Sequence, residues 1–472
     1  MSKAHFGLIG LGVMGENLIL NAESNGFSSV VYNRTYAKTQ EFLAGRGSGR
    51  NIVGAQSLQE FVEKLERPRR ILIMIKAGNP IDNIIEAISP YLEDGDLLID
   101  GGNSLYTDTE RRVRELEKKN FGYIGMGISG GAKGALEGPS MMPGGTVQAY
   151  REIEDLLYKM AAQVEDGPCV AYIGPGGAGH FVKTVHNGIE YGIEQILAEA
   201  YDLMKRIYGM NGNEMAEILK KWNKTEELSS YLVEITEICL RTKDLSDGSD
   251  LVEKIMDQAG QKGTGLWTVI SALEMGVSVP TIYASLNGRV MSSMKKDRII
   301  GEEILKGPSL IPFDMGSKDH SILHLENACV LACMASYAQG MALLVEASRL
   351  HNYNLDISSI AQIWKGGCII RSRLLKRIQD AYTLNPSLVN LLFDPWFTSQ
   401  INQRLDSLAI IVAGASKSGI PVPCLSSTLD YINSCRTNRL PQNLVQAMRD
   451  CFGAHTYERL DMEGNFHTEW LE

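Results

Sequence analysis

The segment Gly10-Leu11-Gly12-Val13-Met14-Gly15 follows the apolar run Phe6-Gly-Leu-Ile and opens a stretch, Glu16 to Ala22, of helical character. Three glycines so spaced between a strand and a helix restrict the fold. They allow a tight turn, a close approach of a pyrophosphate to the backbone and tight helix packing, while the helix N-terminus favours negative charge. Alone the motif is weak, since glycines at this spacing also arise by chance. Here strand, turn, helix and a second strand at Ser29-Val-Val-Tyr come in the order of a dinucleotide-binding βαβ unit.

The alternation continues through Arg70-Ile-Leu-Ile-Met-Ile, Asp96-Leu-Leu-Ile-Asp and Gly122-Tyr-Ile-Gly, each separated from the next by an amphipathic segment. Such a series predicts a doubly wound, mostly parallel sheet, hence an α/β Rossmann-like N-terminal domain over residues 1–178. From Gly179 onward the apolar residues recur with a period near 3.6, as in Ile193 to Tyr208, Met215 to Trp222, Leu323 to Leu350 and Leu405 to Ser418. A large all-helical domain over 179–436 is expected, with turns at Gly307-Pro308, Ile311-Pro312 and Pro421-Val-Pro423. Residues 437–472, richer in polar, glycine and aromatic residues, read as a C-terminal extended arm.

Past the second strand, enzymes selective for NAD place an acidic residue that binds the ribose 2′-hydroxyl. This chain has Asn33-Arg34-Thr35 instead. A guanidinium there suits a 2′-phosphate, and one charge-assisted contact of that kind contributes about 1.5–3 kcal/mol. NADP is the expected cofactor; the alternative is that Arg34 is a solvated surface cation.

A second pattern points to chemistry. Lys183, His186, Asn187 and Glu190 are spaced by three, four and seven residues, so on a helix they share one face. A solvated amphipathic helix could carry the same residues, but Gly179, Gly188 and Gly192 interrupt the rest of the surface. Each glycine costs about 1 kcal/mol against alanine inside a helix, which suggests close approach by another backbone or a ligand. Two Gly-rich stretches at predicted strand ends, Asp100-Gly-Gly-Asn103-Ser104 and the segment Gly127 to Gly145 containing Ser129-Gly130-Gly131, lie where open α/β sheets bind ligands.

The net charge of -10 disfavours nucleic-acid or anionic-membrane partners, so an anionic substrate needs a local basic site. No uninterrupted apolar run reaches the ~20 residues of a membrane span. The start of the chain carries no secretory h-region, and a cytoplasmic location is expected. The eight cysteines are scattered, Cys329 and Cys333 reading as core thiols, and no metal-ligand cluster is visible.

Taken together, these residues resemble the 6-phosphogluconate dehydrogenases, the decarboxylating NADP enzymes of the pentose phosphate pathway, from Phe6 to Trp470. The resemblance implies gluconate utilisation chemistry: oxidative decarboxylation of 6-phosphogluconate to ribulose 5-phosphate. It implies Lys183 as general base and acid, Glu190 as second acid, and His186 and Asn187 as a substrate-orienting pair. Asn103, Ser129, Gly130 and Gly131 would contact the sugar acid. Tyr191, Lys262, Arg289, Arg449 and His455 would form the phosphate pocket. The cofactor would take the Gly10 to Gly15 turn, Asn33 to Thr35, the Ile75-Lys76-Ala77 turn and Asn103. It also implies a homodimer with shared active sites, the C-terminal arm reaching the partner's phosphate pocket. Two departures stand out: Ala132-Lys133 where relatives usually carry two acids, and Ile193-Glu194 where Asp-Met is usual. A simpler β-hydroxyacid dehydrogenase and a catalytically silent NADP-binding sensor are the rival readings.

Overall fold

The computed structural model describes residues 3–308 and 317–470, so the turn expected at Ile311-Pro312 falls outside the described residues. Seven strands form the main sheet: β1 (Phe6–Ile9), β2 (Ser29–Tyr32), β3 (Ile52–Gly54), β4 (Arg70–Ile73), β5 (Leu97–Asp100), β6 (Gly122–Ser129) and β7 (Ser140–Gly145). Their order is β3-β2-β1-β4-β5-β6-β7. All pair in parallel except β7, which runs antiparallel to β6 at the sheet edge.

The parallel strands are apolar throughout because helices cover both faces. Successive residues of β4 serve opposite sides: Leu72 packs with Leu8, Leu18 and Ile99, while Ile71 and Ile73 pack with Val30, Phe61 and Ile85. The chain order reverses between β1 and β4, and the crevice beyond their carboxyl ends is the ligand position in such sheets. Two strands of this sheet escaped the sequence reading. One is the three-residue β3. The other is β7, whose Pro143-Gly144-Gly145 looked like loop because proline and glycine are poor strand formers, yet proline is tolerated at a sheet edge.

Three long helices dominate the second half: Ala178–Tyr208, Lys318–His351 and Pro395–Lys417. Gly209 (φ 60°) and Asn352 (φ 54°) end the first two in the left-handed conformation. The helix Ala178–Tyr208 joins the halves, lying against β6 and β7 on one side and against Lys318–His351 on the other. Glycines at 125 and 127 in β6 make room: a side chain at Gly127 would collide with Lys183 Cβ. Lys318–His351 has the length and apolarity of a membrane span, which the sequence reading had not singled out, but its apolar stretch is 89% buried inside the protein. Cys329 and Cys333 lie in that core.

The C-terminal segment is not extended as expected. It forms a helix, Gln442–Gly453, followed by an antiparallel pair of Tyr457–Glu458 with Asn465–Phe466. Asp450 binds this unit together, accepting hydrogen bonds from Thr456 N, Thr468 N and Trp470 Nε1, with His467 Nδ1 at 2.9 Å. Burial disfavours its charge, but these donors win and hold the carboxyl below its usual range.

Candidate active site

The Gly10–Gly15 turn lies at the sheet's reversal point. Gly10 (φ 106°) faces the Met74 carbonyl closely enough to exclude a Cβ, and Gly15 is pressed against the Gly10 carbonyl. At Gly12, in contrast, a Cβ would meet no protein atom within 4 Å. The helix Val13–Ser24 starts there without a side-chain cap, leaving its first amides for an anion. An open glycine at an uncapped helix start fits a dinucleotide pyrophosphate. Asn33 ties this turn to the end of β2, accepting from Leu11 N at 3.2 Å and donating to Thr35 O at 3.1 Å. Arg34 and Thr35 are exposed beside it, and Arg34 forms no ion pair among the described residues. Across the crevice Ile75 and Ala77 are half-buried and Lys76 is exposed.

Asn103 stands on a loop shaped by Asp100 at the end of β5. That carboxylate accepts from Gly102 N (3.0 Å), Ser104 Oγ (2.6 Å), Tyr123 OH (3.1 Å) and Arg112 Nη1 (3.3 Å). Arg112, fully buried, also forks onto Asp82 with 2.9 Å bonds from Nε and Nη2. Those bonds outweigh desolvation and hold Asp82 at about 2.

The helix Ala178–Tyr208 brings Lys183, Asn187 and Glu190 to one cavity of about 580 Å³, whose other walls include Met14, Asn103 and the Ser129-Gly130-Gly131 turn. Lys183 Nζ donates to Asn187 Oδ1 at 2.5 Å and lies 3.3 Å from His186 Nδ1. Asn187 is fixed from behind by donating to Thr264 Oγ1 at 2.9 Å. His186 does not line the cavity. It is fully buried, with Nε2 3.2 Å from Ser129 Oγ, Nδ1 3.6 Å from Glu190 and its ring edge-on to Trp364. The glycine expectation holds in part. Gly179 meets backbone at Gly125, Met142 and Gly144, whereas Gly188 and Gly192 make room for the side chains of Thr268 and Ser336.

Burial sets the electrostatics. It pushes the Lys183 amine below its ordinary value, against the opposing pull of Glu190 and Cys368. It pushes Glu190 up, against Lys183 and Arg289. His186 falls well below its ordinary value through burial and the Lys183 charge. The cavity therefore holds an amine and a carboxyl whose charged forms burial disfavours, two residue types suited to acid-base chemistry.

At the far end, Tyr191, Lys262 and Arg289 meet. The Arg289 guanidinium stacks 3.5 Å above the Tyr191 ring and donates to Gly260 O at 2.6 Å. Its Nη2 is held by Glu194, a residue the sequence reading did not place in the site, although 194 continues the 183, 187, 190 face by one turn. Arg449 and His455 do not join this cavity within the chain: Arg449 donates to Gln446 Oε1 and His455 packs on Phe452, both exposed. Lys133 lies outside as well, exposed on the short helix Gly131–Glu137 and 3.9 Å from Glu137.

Comparison with known proteins gives a consistent picture. Residues 5–174 match the NAD binding domain of 6-phosphogluconate dehydrogenase, and 179–470 match the 6-phosphogluconate dehydrogenase C-terminal domain. The decarboxylating 6-phosphogluconate dehydrogenase of Synechococcus elongatus is 56% identical over 472 residues, with all of both chains covered. An NADP(+)-dependent, decarboxylating relative from Bacillus subtilis is 48% identical, also with full coverage of both. Among solved structures, the Plasmodium falciparum 6-phosphogluconate dehydrogenase, studied with its cofactor NADP+ and with its substrate 6-phosphogluconate, superimposes with a TM-score of 0.95. It is 43% identical, covering 99% of this chain and 100% of its own.

Proposed function

The chain belongs to the decarboxylating 6-phosphogluconate dehydrogenase family, and on that premise we propose that Lys183 and Glu190 divide its acid-base chemistry between them. The enzyme converts 6-phosphogluconate to ribulose 5-phosphate and CO2 with reduction of NADP. It is an oxidoreductase of the pentose phosphate pathway. The observation that carries the residue assignment is the opposed titration of two groups on one buried helix face, an amine lowered and a carboxyl raised.

NADP, when bound along the Gly10–Gly15 turn, Asn33 to Thr35 and the Ile75 to Ala77 turn, supplies the acceptor for the hydride leaving C3. Neutral Lys183 takes the proton of the 3-hydroxyl during that oxidation. As the carboxylate departs, protonated Lys183 returns its proton to the carbonyl oxygen and so stabilises the enediol. Glu190 delivers a proton to the enediol carbon that was C2 of the substrate and becomes C1 of ribulose 5-phosphate, while Lys183 takes back the enediol hydroxyl proton as the ketone re-forms. Each such positioned group contributes typically about 10²- to 10⁴-fold. Asn187, locked by Thr264, and His186, locked against Ser129, hold the amine and the substrate hydroxyls in register, while Asn103 and the Ser129-Gly130-Gly131 turn receive the sugar acid. Tyr191, Lys262 and Arg289 take the phosphate.

The same proposal includes a two-fold homodimer whose arm, residues 437–472, supplies Arg449 and His455 to the partner's phosphate pocket. In support, Asp450 is the one buried residue of the helix Gln442–Gly453, while Leu444, Val445, Met448 and Phe452 are exposed on it. The helix Lys295–Ile304 likewise buries none of its residues and exposes Ile299, Ile300 and Ile304. Apolar surface of that extent marks an interface. Residues 1–178 would then bind NADP and 179–436 would bind substrate and form the dimer. A cytoplasmic location without membrane or nucleic-acid partners completes the reading, in keeping with the acidic net charge.

The test is NADPH formation with 6-phosphogluconate, with CO2 measured alongside, for the wild type and Lys183→Met. Turnover by the wild type and none by a folded, NADP-binding Lys183→Met supports the assignment. Near-wild-type turnover by the variant overturns it.

A further inference from the structure

Arg289 is a tightly constrained cation at the end of the cavity. It is sandwiched on Tyr191, bonded to the Gly260 carbonyl and closed on its Nη2 side by Glu194, its own side chain being 16% exposed. The Nη2 edge taken by Glu194 borders the cavity that also holds Lys183 and Lys262. An anion seeking that edge has to compete with a carboxylate that is already there.

We propose that Glu194 governs substrate affinity by holding the Arg289 guanidinium until the substrate's phosphate displaces it. The proposal rests on the assignment of Arg289 to the phosphate. A phosphate and a carboxylate both seek the planar fork of an arginine, and only one of them can fill a given edge. Where the carboxylate is charged it competes for Arg289 and also repels the incoming dianion; where it is protonated it does neither.

The surroundings make this competition pH-dependent. Burial, reinforced by the neighbouring Glu190 charge, pushes Glu194 up to about 7 despite Arg289. The other titratable groups around it are Tyr191 and Tyr201 on its own helix, Lys262 from the preceding loop and Cys239 across an adjoining cleft. Below neutrality Glu194 is neutral and Arg289 is released to the phosphate. Above neutrality the pair re-forms, so substrate affinity falls and binding takes up a proton.

Glu194→Gln keeps the side-chain size and removes the charge. At about pH 8.5 its KM for 6-phosphogluconate should lie about 3- to 10-fold below that of the wild type, converging with it by about pH 6. The fall in KM should exceed any change in kcat, and KM for unphosphorylated gluconate should not fall. NADP titration of each variant confirms folding. A KM ratio that does not vary with pH, or a rise in KM, overturns the proposal, a rise showing that the carboxylate positions Arg289 instead. Arg289→Ala separates the two layers. If it raises KM strongly while Glu194→Gln shows no pH-dependent gain, the Glu194 proposal alone fails. If Arg289→Ala leaves KM unchanged, the phosphate assignment fails and carries the Glu194 proposal with it.

Discussion

Lys183 and Glu190 stand two turns apart on one face of the helix Ala178–Tyr208, and burial drives their titrations in opposite senses. Each charge opposes the other's shift, so the pair titrates as a unit. On the proposed assignment, catalysis needs the amine free and the carboxyl protonated. The pH profile of kcat/KM should therefore be a bell, with the acid limb recording a charged Lys183 and the alkaline limb a charged Glu190. On the acid limb Glu190 still carries its proton and its ionisation competes with that of Lys183, so Glu190→Gln should leave the acid limb in place or move it to higher pH and remove the alkaline limb, while some hydride transfer persists. An acid limb that moves to lower pH, or an alkaline limb that survives the substitution, would show that Glu190 is not the group titrating beside Lys183.

Two glycines make opposite predictions. Gly179 lies against the carbonyls of Gly125 and Met142 and the amide of Gly144, all backbone that cannot turn away. Gly179→Ala should separate the helix from the sheet and cost roughly 1–3 kcal/mol or more, as overpacking does, read as a lower unfolding temperature and lost activity. Gly12 has open space at its Cβ position and ordinary φ (-96°). Gly12→Ala should unfold at the wild-type temperature and yet weaken NADP binding by about tenfold or more, the fold-change of ~1.4 kcal/mol. Wild-type NADP affinity in a folded Gly12→Ala would remove the pyrophosphate from this turn.

The pair of Asp100 with Arg112 supports the Asn103 loop from beneath. Both side chains are buried, at 0% and 1% exposure. Arg112→Met would strand Asp100 and break the fork to Asp82, a loss of about 3–5 kcal/mol for a buried pair deprived of one member. Chemical denaturation should show it, and KM for 6-phosphogluconate should rise because Gly102 and Ser104 lose a fixed anchor. Unchanged stability would mean that solvent or another cation replaces the guanidinium.

How much of this was legible in the sequence depends on the range of the cause. The face of Lys183, Asn187 and Glu190 follows from covalent spacing on a helix, and the Gly10–Gly15 turn from local backbone need, so both could be read directly. The helix Gln442–Gly453 does not show in the sequence because the polar and glycine content around it masks the apolar set Leu444, Val445, Met448 and Phe452, which its own chain does not bury. Strand β7 was hidden because its Pro143 depends on an edge position that only the folded sheet defines. Ile193-Glu194 stood out as a departure, but its meaning needed Arg289, which arrives from 95 residues further along through packing of the helix Pro280–Ser293.

Arg34 tests the choice of cofactor. It is exposed, has no ion-pair partner among the described residues and follows the Asn33 that ties the Gly-rich turn to β2. Arg34→Asp should weaken NADP by about ten- to a hundredfold, the loss of one charge-assisted contact with added repulsion, and should weaken NAD far less. Titration of both nucleotides that shows an unchanged ratio of affinities would remove Arg34 from the 2′-phosphate.

The last prediction concerns the shared site. Within one chain Arg449 and His455 lie outside the Lys183 cavity, on an arm whose helix leaves its apolar face uncovered. If two-fold symmetry exchanges the arms, each cavity is completed by the other chain, and the exchange is reciprocal. Lys183→Ala and Arg449→Ala chains should each be poorly active alone. In their heterodimer one site carries both lesions and the other carries neither, so the intact site should restore activity to about half that of the wild-type dimer, well above the sum of the separate variants. Isolated heterodimers that show no recovery beside active wild-type dimers would mean that each arm serves its own chain. The distance between Arg449 and the Lys183 cavity would then have to be closed by movement of the arm within the subunit.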